Sequence, residues 1–395
     1  MAIALVAAAA GLIGFSAGEN RGESLQKPGA ENRDSSKFLE GPWGRIRFWN
    51  SMLEMPREMI ALENPPAPAT QWFFGFKTLP EVVQTLRDCG LGEDFAGKLA
   101  ATAQAWPDGG FVLDPADFLI TQIPPSARAR IYAVLGKWPQ NPTIAASGRF
   151  EKIGLHDWLD ESELSPATDD LVRRLIYRKG GVEFFTDYDL VMRKLSDKRE
   201  KTEFLRTMSR QNCVMGCLVV RPGDDLDRLA EYWGRGGRER DVRTLLECAR
   251  LSDARHEISL RALMPDFVRD RMYRYRHEAD PPAVNCHYST MNFFTAYPDN
   301  CFTSLATCAQ TIDRDYHMVT DGSRQFGDIV LLMSGEREVV HTCNIVAGNL
   351  VFTKNGNSQG QPWIIADLGE LLDYFSADQP VTTHIARRNS PVAGM

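Results

Sequence analysis

The chain is 395 residues long, 43% hydrophobic and 25% charged, with a formal net charge of −7. That length and apolar content exclude a disordered or fibrous protein and leave room for two or three domains with substantial cores. The acidity is concentrated, since Pro281 to Phe375 carries ten Asp and Glu against four Lys and Arg, a balance that argues against nucleic acid as a partner.

Residues 1–18 are uncharged, rich in Ala, Val, Leu and Ile, and end on Ser16-Ala17-Gly18. They read as the apolar core of a secretory signal followed by small residues for cleavage, which predicts export to the periplasm, the cell surface or the medium. The same stretch is close to the shortest length that spans a bilayer, so a retained N-terminal membrane anchor is the alternative. Residues 19–42 are polar, contain Gly, Ser and Pro, and lack apolar periodicity; they read as a disordered linker.

Residues 43–280 read as a mainly helical domain whose role the sequence does not assign. Thr78 can cap a helix carrying Val82, Val83 and Leu86, and Ser165-Pro166 can open one carrying Leu171, Val172, Leu175 and Ile176. Both show apolar residues three and four apart. The pattern continues from Asp225 to Arg250, interrupted at Gly234-Arg235-Gly236-Gly237.

After Pro281-Pro282 the period changes. Asn285 to Phe294 reads as an amphipathic helix, and Gly327–Met333, Val339–Ala347 and Asn349–Thr353 are short Val-, Ile- and Leu-rich runs separated by Ser334-Gly335 and Ala347-Gly348-Asn349. A helix followed by an antiparallel meander predicts a small α+β domain over 281–378, with 379–395 as a flexible tail. The fold expected for the whole chain is therefore α+β, with helices first and the helix-plus-sheet domain last.

The eight cysteines are scattered through predicted elements and form no dense disulfide framework. Cys213 and Cys217 have three residues between them and no matching His pair, so no metal is expected there. No cofactor is expected, and no feature of the sequence sets the oligomeric state.

Chemistry points to Cys286. A thiol at a helix start meets the positive end of the helix dipole, and an imidazole on a neighbouring strand can take its proton. His341 lies fifty-five residues downstream, enough chain for a helix, a connection and two strands. His287 sits about 100° around the helix from Cys286, which predicts a surface or packing role. Asp328 is expected to pin the turn before its strand.

Taken in order, Cys286 at a helix start, Gly327-Asp328-Ile329-Val330, His341 opening an apolar strand, and the strand Leu350 to Asn355 resemble the papain-like NlpC/P60 cysteine peptidase superfamily, over the C-terminal domain only. The resemblance implies a Cys-His-polar triad acting on a peptide, in cell-wall stem peptides above all. It puts the third member near Thr353; Asn355 shares a face with Thr353 on a strand and carries the better acceptor for an imidazole N–H, so Asn355 is preferred and Thr353 is second. Tyr275, eleven residues before Cys286, is the nearest counterpart of the family's substrate-contacting Tyr. The expected function is an exported cysteine hydrolase that cleaves an amide bond.

Two other readings stand beside it. The nucleophile segment is Asn285-Cys286-His287-Tyr288 where the family has Asp-Cys-Ser-Gly, which suits a papain-like domain kept for binding alone. Asn285-Cys286 followed by His287 is also similar to the Asn-Cys-Glu-His motif of permuted relatives resembling lecithin:retinol acyltransferase, which implies lipid acyl transfer. In those relatives the strand His precedes the Cys.

Overall fold

The structure is a computed structural model that describes Ala4–Leu5 and residues 36–60, 67–76, 78–145, 148–150, 159–252, 256–277, 280–281, 284–335, 338–357, 359–377 and 380–389. The expected signal segment, apart from Ala4–Leu5, and most of the expected linker lie outside the described residues. The fold is α+β, with several antiparallel sheets interleaved with helices along the chain.

Helices do not come first and strands last. Lys37–Gly41, expected as linker, is a strand paired antiparallel with Gly44–Leu53. Gly44–Leu53 in turn pairs with Gln211–Val219 over nine residues, from Arg45↔Val219 to Leu53↔Gln211, and Glu257–Ser259 closes this four-stranded sheet. A ladder between residues so distant in sequence leaves no local periodic signal beyond its own alternation. The boundary expected near 280 also moves. The chain divides into one compact unit holding residues 36–54 with Gln211–Met395 and another holding Met55–Arg210.

The Met55–Arg210 unit contains the two helices anticipated from their caps. Leu79–Asp88 starts with a capping box between Thr78 and Glu81, and in Pro166–Leu175 the Ser165 side chain accepts from the Thr168 N–H. Two three-stranded antiparallel sheets accompany them, centred on Phe111–Leu113 and Val182–Phe185. Its core contains the aromatic series Trp72, Tyr132, Tyr177 and Phe184.

The other unit holds the larger sheet. Its strands run in the order Tyr316–Met318, Val381–Arg388, Ile329–Ser334, Glu338–Ala347, Leu350–Lys354, Trp363–Asp367, with every neighbour on that path antiparallel. Ala4–Leu5 pairs in parallel with Glu338–Val339, off this path. The meander expected from Gly327 to Thr353 is its centre. The expected flexible tail is instead the strand Val381–Arg388, held by six paired residues of Ile329–Ser334. Its Arg387 closes on the buried Asp328 carboxylate at 2.7 Å, so the tail's basic residues serve pairing and charge neutralisation.

Alternation along the strands separates two cores. Val346, Phe352, Trp363 and Ile365 join Tyr288, Phe293 and Phe326 in one, while Cys343, Ile345, Val351 and Ile364 join Leu368 and Leu371 in the other. Full burial of a side chain such as Phe293 or Phe352 stabilises the fold by roughly 2–3 kcal/mol each. The Cys286 helix packs on the first core and Leu368–Ser376 on the second, which sets Cys286 against the centre of the sheet.

Candidate active site

Cys286 opens a helix that is shorter than expected, Cys286–Met291. Asn285 is its N-cap, with its side-chain oxygen accepting from the Tyr288 N–H at 3.0 Å. Inside the first turn the Ser289 hydroxyl donates to the Asn285 carbonyl at 2.7 Å and accepts from Trp363 Nε1 at 2.8 Å. Helix start and sheet are thus joined by a buried polar link directly beneath the thiol-bearing residue. Six residues make only a small helix dipole, so the electrostatics of Cys286 must come from side chains.

They come from two histidines. Burial pushes the Cys286 thiol up, but the charges of His287 and then His341, with hydrogen bonds from both, overcome it and hold the thiol well below the ordinary cysteine value. The other buried thiols behave oppositely. Burial pushes Cys213 and Cys308 up to about 12 and Cys343 further in the same direction. Burial alone therefore does not distinguish Cys286, which is 7% exposed; its imidazole neighbours do.

His341 is buried on the strand Glu338–Ala347, and its ring stacks on Phe375 with centroids 4.4 Å apart. Its Nε2 lies 2.7 Å from Thr353 Oγ1, and that hydroxyl donates to Asn355 Oδ1 at 3.2 Å. The direction of the chain follows. Since Thr353 spends its proton on Asn355, its oxygen accepts from His341 Nε2–H, which leaves Nδ1 as the ring nitrogen available to Cys286. Cys286, His341, Thr353 and Asn355 thus form a line of contacts in which the imidazole is held on the side away from the thiol.

The structure brings together Cys286, His341, Thr353 and Asn355, with the order of the last two exchanged relative to the expectation. Thr353 touches the imidazole, and Asn355 holds Thr353. The better acceptor serves one step out because Thr353 lies within the strand Leu350–Lys354 while Asn355 lies just beyond its end. His287 is buried at 2% exposure, with Nδ1 3.1 Å from Thr342 Oγ1, so it packs as one half of the expectation had it and is not at the surface; its charge also lowers the Cys286 thiol. A rotation about the helix axis does not remove a residue from a helix end that is buried all round. Tyr275 is seated in the core at 5% exposure with its hydroxyl donating to the Leu53 carbonyl at 3.0 Å, which anchors its segment to the neighbouring strand.

Asp328 pins the turn as anticipated. It accepts from the Gln325 N–H at 2.8 Å and from Arg387, with Arg235 at 3.5 Å. The preceding Gly327 has φ +84°, and a Cβ there would meet the Phe294 ring at 2.1 Å. One residue of the site, Lys354, is not among those the motifs single out. Lys354 is fully buried, its Nζ donating to the Gly356 carbonyl at 2.9 Å. Burial and then Arg276 push its ammonium down to about 7, against the Cys286 thiolate and Asp280, which raise it. A lysine closing the otherwise apolar run Leu350–Lys354 was the available clue.

Among the described residues, no three His, Cys, Asp or Glu side chains converge where a metal ion could sit. Also among the described residues, no helix is long and apolar enough to cross a membrane. A scan against protein-family models, a search of curated proteins and a search of solved structures each return no match.

Proposed function

We propose that this chain is a cysteine hydrolase of the papain-like NlpC/P60 kind, acting on an amide bond, with Cys286 as nucleophile and His341 as its base. The observation that carries the reading is the directed chain from the depressed Cys286 thiol through His341 to Thr353 and Asn355. A structural cysteine and a satisfied core histidine have no need of a thiol depressed by an imidazole that a second hydrogen bond orients.

In this reading the Cys286 thiolate adds to the substrate carbonyl and forms a thioester as the C–N bond breaks. His341, having taken the thiol proton, gives it to the leaving amine. A water then attacks the thioester, His341 accepts its proton, and the acid product leaves with the thiol restored. The backbone N–H of Cys286, at the open end of the helix, is suited to the oxyanion in both halves. The order of the motifs supports a peptide as substrate, and the uncharged opening of the sequence supports export to where cell-wall stem peptides lie.

The test is incubation with purified stem peptides, with mass spectrometry and amine release as readouts and Cys286→Ala as control. Cleavage that vanishes in Cys286→Ala is the expected result. Intact stem peptides, together with intact N-acyl amides of simple amino acids, would overturn the hydrolase reading in favour of a domain kept for binding.

A further inference from the structure

We propose that Lys354 is a positioning residue of this site: its ammonium braces the start of the Cys286 helix through Trp363, closes the turn that carries Asn355, and opposes the charge of the Cys286 thiolate. The inference rests on the reading of Cys286 as a thiolate nucleophile. Lysine is almost never fully buried without a compensating role, because an ammonium taken out of water loses its hydration and must be paired.

Three contacts give Lys354 that role. Lys354 is the register partner of Trp363 on the adjacent strand, and its Nζ lies 5.3 Å from the Trp363 ring centroid, a cation–π contact in a desolvated setting. Trp363 passes this on through its Nε1 bond to Ser289, whose hydroxyl holds the Asn285 carbonyl, one bond from the Cys286 nitrogen. On the other side Nζ donates to the Gly356 carbonyl while the Gly356 N–H bonds the Lys354 carbonyl, both at 2.9 Å. That double closure fixes Asn355, the far end of the line of contacts, between two clamped residues. One ammonium thus ties the nucleophile's helix to the acceptor that orients its base.

The charged groups facing Lys354 are Arg276 and Asp280, from the segment before the helix, and Cys286 on the helix itself. Of these, only Cys286 belongs to that line. Linkage makes the interaction reciprocal: a thiolate that favours the ammonium is favoured by it to the same extent.

The experiment is the rate of iodoacetamide alkylation at Cys286 as a function of pH. In Lys354→Met the acid limb is expected to fall several-fold relative to the alkaline limb, while Lys354→Arg, which keeps the charge, restores the original profile. A Lys354→Met profile superimposing on the unaltered one overturns the proposal. Rapid labelling of the unaltered protein separates that outcome from failure of the nucleophile reading, in which Cys286 is slow in every variant. A second measurement needs no variant. Capping Cys286 with a neutral carboxamidomethyl group should lower the titration midpoint of Lys354, followed by the NMR shift of its Cε. A midpoint that does not move contradicts the proposal even if Lys354→Met fails to fold.

Discussion

In the proposed reaction His341 exchanges a proton with Cys286 on one ring nitrogen and needs a fixed N–H on the other, and Thr353 lies 2.7 Å from that second nitrogen. Thr353→Val keeps the shape and removes the acceptor, and it should lower turnover about ten-fold or more, on the order of 1.4 kcal/mol in the barrier. Asn355→Ala acts one bond further away and should cost only about two- to three-fold, roughly 0.5 kcal/mol. Steady-state kinetics on both variants check this, and the reverse order of severity would contradict the line of contacts as drawn. Cys286, His341 and the Thr353/Asn355 pair were legible because their types and order carry chemistry. The choice within the pair was not, since it depends on where the strand ends, at Lys354 and so before Asn355. Nor was His287, because its helix end is buried on all sides and a helical wheel assumes one solvated face.

At the scale of elements, caps and alternation were the readable signals. The helices opened by Thr78 and Ser165 and the meander of Ile329–Ser334, Glu338–Ala347 and Leu350–Lys354 lie where the sequence predicts them. The strand Val381–Arg388 was missed because its polar, basic face resembles a tail, and only its partner Asp328 explains the arginine. Gly327 links helix and sheet, since its positive φ and the Phe294 ring against its α-carbon both exclude a side chain. Phe294 cannot easily yield, being packed edge-on to Phe293 and Phe326. Gly327→Ala should therefore lower the unfolding free energy by about 2 kcal/mol or more. Urea unfolding that shows a loss below about 0.5 kcal/mol would contradict this packing.

Across the whole molecule, the feature least visible in the sequence is that the unit bearing the site is discontinuous. Residues 36–54 belong with Gln211–Met395, and the pairing of Leu53 with Gln211 brings the two ends of Met55–Arg210 together at one rung of a ladder. Register partners in an antiparallel pair lie about 5 Å apart, so a short hairpin turn can replace everything between them. Joining residue 54 to Gln211 through an Asn-Gly turn should yield a folded unit with Cys286 as reactive as in the full chain, measured by circular dichroism and alkylation. An unfolded product would mean that Met55–Arg210 is required for the unit's stability.

The central claim is that Cys286 is a thiolate made by its histidines, and its alkylation by iodoacetamide, read site by site by mass spectrometry, tests that claim most directly. Cys248 and Cys301 are exposed and serve as internal controls, while Cys286 is buried. Because the Cys286 pKa is depressed, its thiolate persists as pH falls, whereas an ordinary thiol loses about ten-fold in rate for each pH unit below its pKa. Near pH 6 Cys286 is expected to label ahead of Cys248 and Cys301 and to lose less of its rate between pH 8 and pH 6 than either of them. Labelling that follows exposure instead, with Cys248 and Cys301 first and Cys286 inert until alkaline pH, would contradict it.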